Sequence, residues 1–308
     1  MNNSIPVDSQ EIATLLRKAC PERADEIAGF WQQFEPEFAI KSDGVGIKIS
    51  ANANKVTWMN KVFIHEWVVV FAGYAALAVY GPYIWLEGRS GEITFNDVID
   101  EPSFPAAEEQ LENYLYFAKI IRETDDLASL EWTVDIPEPT SDIKLMKIEH
   151  IACSEIIQLS TAVTFLHELR HVQFTGENNR PTLGYDEERV CDKFSREMLF
   201  DQIGAYSDAT GEDMTDVKSK RLIGLASAAF SIAMCEPSTI AAAIQDTHPP
   251  IKDRFDHMVI QAEVPETANG WLYVACLLIS LLRQSQRLPR SVCFTSRKDL
   301  CQQLVKCL

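Results

Sequence analysis

The residues with the clearest chemical meaning in this sequence are two histidines and a glutamate. An H-E-x-x-H motif occupies residues 167–171, inside a stretch whose composition favours a helix. On a helix, residues four apart project from one face about a turn apart. Two imidazoles placed in this way can bind one Zn²⁺ ion, and a neighbouring carboxylate can act on a water molecule at the metal. We therefore predict His167 and His171 as metal ligands and Glu168 as a catalytic residue.

The setting of the motif indicates a buried helix. Apolar residues surround it on almost every side, namely Val163, Phe165, Leu166, Leu169, Val172 and Phe174. A buried helix rarely carries several ionisable residues unless those groups have partners. An ordinary amphipathic helix with surface or core histidines is therefore the weaker interpretation.

A third ligand is expected from the acidic residues that follow. Zinc in a hydrolase is held by three protein ligands and keeps one position open. Glu188 and Asp192 lie one turn apart on a helix predicted to begin at Asp186. Glu188 could complete the ligand set, and Asp192 could accept a hydrogen bond from the free ring N–H of His167 or His171.

Two alternatives to this assignment stay open. Glu187 or Glu177 could replace Glu188 as the third ligand. The acidic cluster could also be an exposed first helical turn, since carboxylates there interact favourably with the helix dipole.

A further candidate region follows Thr247. His248-Pro249-Pro250 leads into a predicted helix that contains Arg254. It resembles the H-P-x-x-x-R region of some membrane-associated zincins. On that resemblance, His248 could donate a hydrogen bond to a tetrahedral oxyanion as a catalytic residue, and Arg254 could pair with a carboxylate of the site. Helix capping is the alternative role for His248.

The chemistry that this set predicts is peptide hydrolysis. In H-E-x-x-H hydrolases, Zn²⁺ lowers the pKa of its bound water towards about 7 and polarises the scissile carbonyl. Glu168 takes the proton from that water and passes it to the leaving amine.

The composition indicates which kind of partner and which cellular compartment to expect. The chain has 308 residues, 46% of them hydrophobic, and a formal net charge of −17. Binding to phosphates needs clustered Lys and Arg, so nucleic acid is not expected as a partner. None of the eight cysteines forms C-x-x-C, and the N-terminus shows no secretion signal. These features favour a cytoplasmic protein with reduced thiols.

The apolar periodicity predicts a mainly α fold with a minor strand component, arranged as a zincin-like helical metallopeptidase core. Helices are expected over residues 1–40, 56–80 and 108–127, and in the second half over 143–159 with the motif helix that follows, from 186 to about 203, and over 216–234, 238–245, 251–262 and 270–282. Gly176 is expected to end the motif helix in a left-handed cap, residues 204–213 to form a loop, and residues near 44–50 and 132–136 to form strands. A proline-rich linker at 137–142 predicts a boundary. Residues 1–139 would form a mostly helical region that could recognise the target, and residues 140–308 the catalytic region.

One stretch raises the question of a membrane. Residues 67–86 carry no charge and are long enough to span a bilayer. Gly81-Pro82 interrupts the stretch, and no cluster of Lys or Arg flanks it. We expect a buried core helix that ends at Gly81-Pro82 and is followed by a short strand, with membrane association less favoured.

Three segments together resemble the Lit peptidase family of phage-exclusion proteases. They are H-E-L-R-H-V-Q-F at 167–174, E-x-x-C-D at 188–192 and T-H-P-P at 247–250, and the likeness rests mainly on residues 140–262. The second segment is also similar to the ligand helix of glutamate-liganded zincins. The Lit resemblance implies a zinc-dependent endopeptidase that stays dormant until a phage product assembles with its target. It then cleaves the host translation factor, elongation factor Tu.

Two other functions compete with this one. A general or regulatory zinc peptidase of unknown substrate would cleave generic peptides without an activator. A non-enzymatic helical interaction protein would carry a structural metal site, and a fourth protein ligand closing the coordination sphere would favour it.

Overall fold

A computed structural model describes residues 8–41, 44–87, 91–95, 99, 104–139, 147–235 and 248–308. The helices of this part of the chain are α1 Ser9–Ala19, α2 Ala24–Phe34, α3 Lys61–Glu87, α4 Phe104–Glu123, α5 Ile148–Glu177, α6 Gly184–Phe200, α7 Ile203–Thr210, α8 Met214–Cys235, α9 Ile251–Arg254 with a π-helical continuation Phe255–Ile260, α10 Gly270–Gln284 and α11 Arg297–Val305. The strands are β1 Glu37–Lys41, β2 Ile49–Asn52, β3 Lys55–Met59, β4 Glu92–Thr94 and β5 Ser291–Cys293. The predicted mainly α fold is confirmed.

Helix α3 lies at the centre of the core. It packs against α4, α5, α8 and α10. By length and composition it could cross a membrane, and 78% of its most apolar 18-residue window is buried inside the protein. A helix surrounded by four others needs apolar residues on most of its faces, so packing accounts for the uncharged stretch.

The prediction that this helix ends at Gly81-Pro82 is wrong. Helix α3 continues to Glu87 with Pro82 inside it. Proline cannot donate the hydrogen bond that the carbonyl of Ala78, four residues earlier, would accept. Ala78 and Pro82 are both exposed. Water can therefore bind that carbonyl, and the helix continues past the proline.

The structure contains two small sheets, and some of their strands lie where the apolar periodicity predicted helices. Strand β1 lies within the range 1–40 that was predicted to be helical, and β3 replaces the predicted start of a helix at residue 56. Strand β3 pairs in parallel with β1 and antiparallel with β2, while β4 pairs with β5. Because pairing partners decide whether such short segments become strands, local periodicity misassigned them.

Three further assignments are corrected. Residues 132–136, predicted as a strand, have no regular structure, and the Trp132 indole N–H donates to the Ile136 carbonyl at 2.8 Å. Helix α7 occupies most of the predicted loop 204–213. The residue in the left-handed conformation after α5 is Asn178, with φ 52°, rather than the predicted Gly176. Gly176 is required for another reason, since a Cβ there would lie 2.6 Å from the Phe34 ring.

Two predicted features fall partly or wholly outside the described residues. The helix expected over 238–245 lies outside them, as do residues 140–142 of the linker. One hydrophobic core contains residues from both sides of the linker, because α3 packs directly on α5. The division into regions 1–139 and 140–308 stays a prediction.

Helix α5 holds the H-E-x-x-H motif and packs against α3, α6, α8 and β2. Its contact with α8 is unusually close at one point, because a Cβ on Gly224 would lie only 2.5 Å from the Cβ of Leu159. A glycine at that position therefore sets how near the two helices approach.

We predict that Gly224→Ala destabilises the protein. Overpacking of a well-packed contact costs roughly 1–3 kcal/mol, and the loss should appear as a lower urea midpoint in unfolding followed by circular dichroism. Gly29→Ala on α2 is the matched control, since nothing lies within 4 Å of its new Cβ. That control should raise the free energy of unfolding by about 0.5–1 kcal/mol. A Gly224→Ala protein as stable as wild type would contradict the close contact.

Candidate metal centre

Helix α5 brings the two motif histidines together on its face towards α6. The Nε2 atoms of His167 and His171 are 3.3 Å apart. Both side chains are largely buried, with 12% and 13% of their surface exposed. The four-residue spacing has therefore placed two ring nitrogens where they can share a cation.

Helix α6 presents Glu188 to both rings. Its Oε2 lies 3.4 Å from His167 Nε2, and its Oε1 lies 3.3 Å from His171 Nε2. Glu187, Glu188 and Asp192 are all buried. The alternative in which this acidic cluster is an exposed helical turn therefore does not hold.

These separations can be tested against the geometry of zinc. Ligand atoms at the corners of a tetrahedron, about 2.0–2.1 Å from the metal, lie about 3.3–3.4 Å from one another. The two Nε2 atoms are 3.3 Å apart, which matches two such corners, and each lies 3.3–3.4 Å from a different oxygen of the Glu188 carboxylate. The residues present fit a zinc ion in ligand type, and the imidazole pair fits it in spacing.

A different trio also lies close enough to hold a metal ion. His167, His171 and Cys191 offer ligand atoms within 4.8 Å of one another. Cys191 is fully buried. Burial, helped by the charge of nearby carboxylates, raises the pKa of its thiol far above the ordinary value. Because each Nε2 atom lies within 3.4 Å of an oxygen of Glu188, the distances favour Glu188 over Cys191 as the third ligand.

Two more carboxylates orient the imidazoles from behind. The Nδ1 atom of His167 lies 2.9 Å from Asp192 Oδ1, and that of His171 lies 2.6 Å from Glu187 Oε1. Each carboxylate fixes a ring so that its Nε2 faces Glu188. The sequence pointed to Asp192 for this role, whereas Glu187 had been considered only as a replacement ligand.

Residues from the start of α9 complete the surroundings of Glu188. Arg254 Nη2 lies 2.5 Å from Glu188 Oε2, and Nη1 lies 3.2 Å from Asp192 Oδ1. His248 Nδ1 lies 3.1 Å from Glu188 Oε2, with half of its side chain exposed. Helix α9 has Pro250 as its N-cap residue and no side-chain cap, so capping does not explain His248. Thr247 lies outside the described residues.

Glu177, the other alternative ligand, points away from this cluster. It accepts hydrogen bonds from Gln173 Nε2 and Asn179 Nδ2, each at 2.8 Å, on the exposed end of α5. Arg170, within the motif, lies over the ring of Phe174 at 4.4 Å. The structure thus separates these two residues from the predicted site.

The charges of the site favour a cation between the imidazoles and the carboxylates. Burial lowers the pKa of His167, but hydrogen bonds to Asp192 and Glu188 outweigh it and raise that pKa to about 10. Burial raises the pKa of Glu188, but bonds with His167, His171 and His248 hold it well below the usual range. A metal ion would take the place of the imidazole protons in this arrangement.

The predicted catalytic Glu168 lies beside this centre with a buried side chain. Burial raises the pKa of its carboxyl, although the nearby His167 and His171 lower it. The backbone amide of Ala51, on β2, also lowers this pKa. Nothing in the sequence pointed to this strand as a neighbour of the motif.

A cavity of about 290 Å³ opens beside the centre. His167, Glu168, Glu188 and His248 border it at one end, and most of its remaining wall is apolar. Glu66 of α3 also lines it, a residue to which the sequence analysis assigned no role.

We predict that Arg254→Met strongly destabilises the metal-free protein. Removing one member of a buried charge network leaves an uncompensated charge and costs about 3–5 kcal/mol. Arg180→Met is the matched control, because Arg180 is 51% exposed and lies 3.3 Å from Glu187 at the edge of the same cluster. An exposed pair contributes at most about 1 kcal/mol. Chemical unfolding in EDTA should separate the two variants, and equal stabilities would contradict the network.

Comparison with known proteins indicates the family of this chain. A search of curated proteins and a search of solved structures each found no match. The family model of peptidase U49 matches residues 60–274, a range that runs from α3 into α10 and contains the whole cluster. The match covers more than two thirds of the chain, and we conclude that this protein belongs to the peptidase U49 family.

Proposed function

We propose that this chain is a zinc-dependent endopeptidase. The observation that carries the proposal is the meeting of His167 Nε2 and His171 Nε2, 3.3 Å apart, with the Glu188 carboxylate, whose two oxygens lie 3.4 and 3.3 Å from them. A buried carboxyl, that of Glu168, stands next to it in a peptide-sized cavity. Membership of a peptidase family supports the reaction class.

The ion would be held by His167, His171 and Glu188. When bound, zinc acts as a Lewis acid that polarises a carbonyl group and makes water a stronger acid. Asp192 and Glu187 keep the two imidazoles in place. Arg254 balances the charge of Glu188 and Asp192.

Glu168 would hold and move the proton. Burial raises the pKa of its carboxyl above the ordinary value, which brings a carboxyl closer to the range useful for general acid–base work. In the proposed reaction Glu168 accepts the proton of the attacking water and delivers it to the leaving amine.

His248 is proposed to stabilise the developing oxyanion. It lies at the cavity beside Glu188, 3.1 Å from Oε2, and half of its side chain is open to solvent. A ring N–H at that position can donate to an oxygen that gains charge during attack.

The outer strand of the small sheet offers a place for the substrate backbone. Strand β2 lies at the edge of the order β1-β3-β2. Lys48 accepts a hydrogen bond from Met59 of β3, so the backbone groups of Ile49 and Ala51 point away from β3. We propose that a peptide adds to this edge as a further strand, next to Glu168.

The resemblance to the Lit peptidases extends the proposal to a biological role. On that basis the protein would be a cytoplasmic protease of phage exclusion that cleaves elongation factor Tu once a phage-derived activator is present. A general zinc peptidase is the second candidate. Incubation with purified elongation factor Tu, with and without phage lysate, separates them, since a general peptidase would cleave peptides unaided.

We predict that Glu168→Gln keeps zinc and loses turnover. Loss of a general base should lower kcat by about 10²–10⁴-fold, while metal content measured by plasma mass spectrometry stays at the wild-type level. Glu155→Gln, an exposed change on the same helix, serves as the control. Full activity in Glu168→Gln would remove this residue from the proposed mechanism.

We also predict that His167→Ala and His171→Ala lose the metal. Each change deletes one of three ligands, so zinc should fall below stoichiometry after dialysis. His150→Ala is the matched control, because His150 lies on the same helix and packs against the Phe71 ring. Zinc retained at native stoichiometry by either ligand variant would refute the assignment, and 1,10-phenanthroline should abolish cleavage by wild type.

A further inference from the structure

Glu66 lies in the wall of the same cavity that His167, Glu168 and Glu188 line. It projects from α3 and is only 3% exposed. Its partners are two hydroxyl groups of α5, because Ser160 Oγ donates to Oε2 and Thr164 Oγ1 lies 3.4 Å from Oε1. The carboxyl therefore borders the same space as Glu168, yet the proposed reaction does not use it.

This buried carboxyl has no counter-ion in the part of the chain that the structure describes. There, no lysine or arginine lies within ion-pair distance of it. Residues 236–247, which join two residues of the cavity wall, contain neither Lys nor Arg. Two hydroxyl donors leave part of the acceptor capacity of a carboxylate unused. An ionised carboxylate is costly to bury without a cation, and burial accordingly raises the pKa of Glu66 to about 7. A cation bound here would stabilise the ionised form.

The rest of the wall is suited to an aliphatic chain. The apolar side chains that line it are Ile47, Ile49, Val62, Val163, Ile232 and Met258. Lysine and arginine bury their methylene stems along apolar surfaces and keep the charged end at a polar group. A pocket with apolar walls and one buried acid matches that distribution.

The position of Glu66 shows how close the pocket lies to the proposed catalytic residue Glu168. Thr164, which contacts it, precedes Glu168 by four residues on α5. Four residues correspond to about 6 Å along a helix. The pocket therefore adjoins the point where the peptide bond would be cut.

From these observations we infer that Glu66 defines a side-chain subsite that accepts a lysine or arginine of the substrate next to the scissile bond. The inference rests on the proposed peptidase function. In it, the substrate's ammonium or guanidinium group supplies the counter-ion that the pocket lacks, and Glu66 determines specificity without taking part in proton transfer.

The test compares peptides that differ at one position. Each position from two before to two after the cleaved bond carries either lysine or norleucine, whose neutral side chain lacks only the amino group. Charge-assisted hydrogen bonds contribute enough to predict about a 10- to 100-fold higher kcat/KM for lysine at one position. Glu66→Gln should bring that ratio close to one. Glu155→Gln makes the same change of charge at a residue paired with Lys220 on the surface and should leave the ratio unchanged.

A binding measurement separates this inference from the proposed function. Isothermal titration with n-butylamine and with 1-butanol needs no cleavage. Wild type should bind the amine at least tenfold more tightly than the alcohol, and Glu66→Gln should lose that difference. If no peptide is cleaved but the amine preference is present and depends on Glu66, the peptidase proposal fails and the cationic subsite stands. The inference is overturned if wild type shows neither the preference for lysine nor the preference for the amine. It is also overturned if Glu66→Gln retains either preference.

Discussion

The carboxylate of Glu188 is the point on which the rest of the site depends. Two imidazoles, one guanidinium and the ring of His248 all lie within 3.4 Å of its oxygens. A buried carboxylate is tolerated only where positive or hydrogen-bonding groups surround it. Because the partners of this carboxylate come from α5, α6 and the region of α9, its need for hydrogen bonds and positive charge brings these segments together. The remaining acidic residues of the site lie around it.

The chemistry of the site could be predicted because most of it is local in sequence. His167 and His171 belong to one helix, and Glu188 with Asp192 to the next, so spacing alone indicates which side chains share a face. Helical periodicity located α8 and α10 to within two residues at each end for the same reason, whereas α4 begins and ends four residues earlier than the predicted 108–127. The part that spacing did not decide was which carboxylate stands behind which ring. That depends on the rotation of α6 against α5.

The contacts that the sequence did not predict join segments that are far apart in the chain. Strands β1 to β3 exist because they pair with one another, and their residues carry no strong alternation of their own. The proximity of Ala51 to Glu168 and that of Glu66 to Ser160 each join positions about a hundred residues apart. No periodicity within one helix encodes such contacts. Pro82 shows the opposite case, because a strong local breaker has little effect where the affected carbonyl faces water.

The two kinds of contact have different consequences for folding. His171 and Glu188 are separated by 17 positions in the chain (188 − 171), so the helical hairpin that carries them closes a short loop. Strand β2, which lies beside Glu168, comes from about a hundred residues earlier in the chain, and contacts of such long sequence separation form more slowly. In refolding, the histidine pair and Glu188 can therefore meet before the cleft beside them closes. A population caught between these two steps would have its imidazoles assembled and its cleft unfinished.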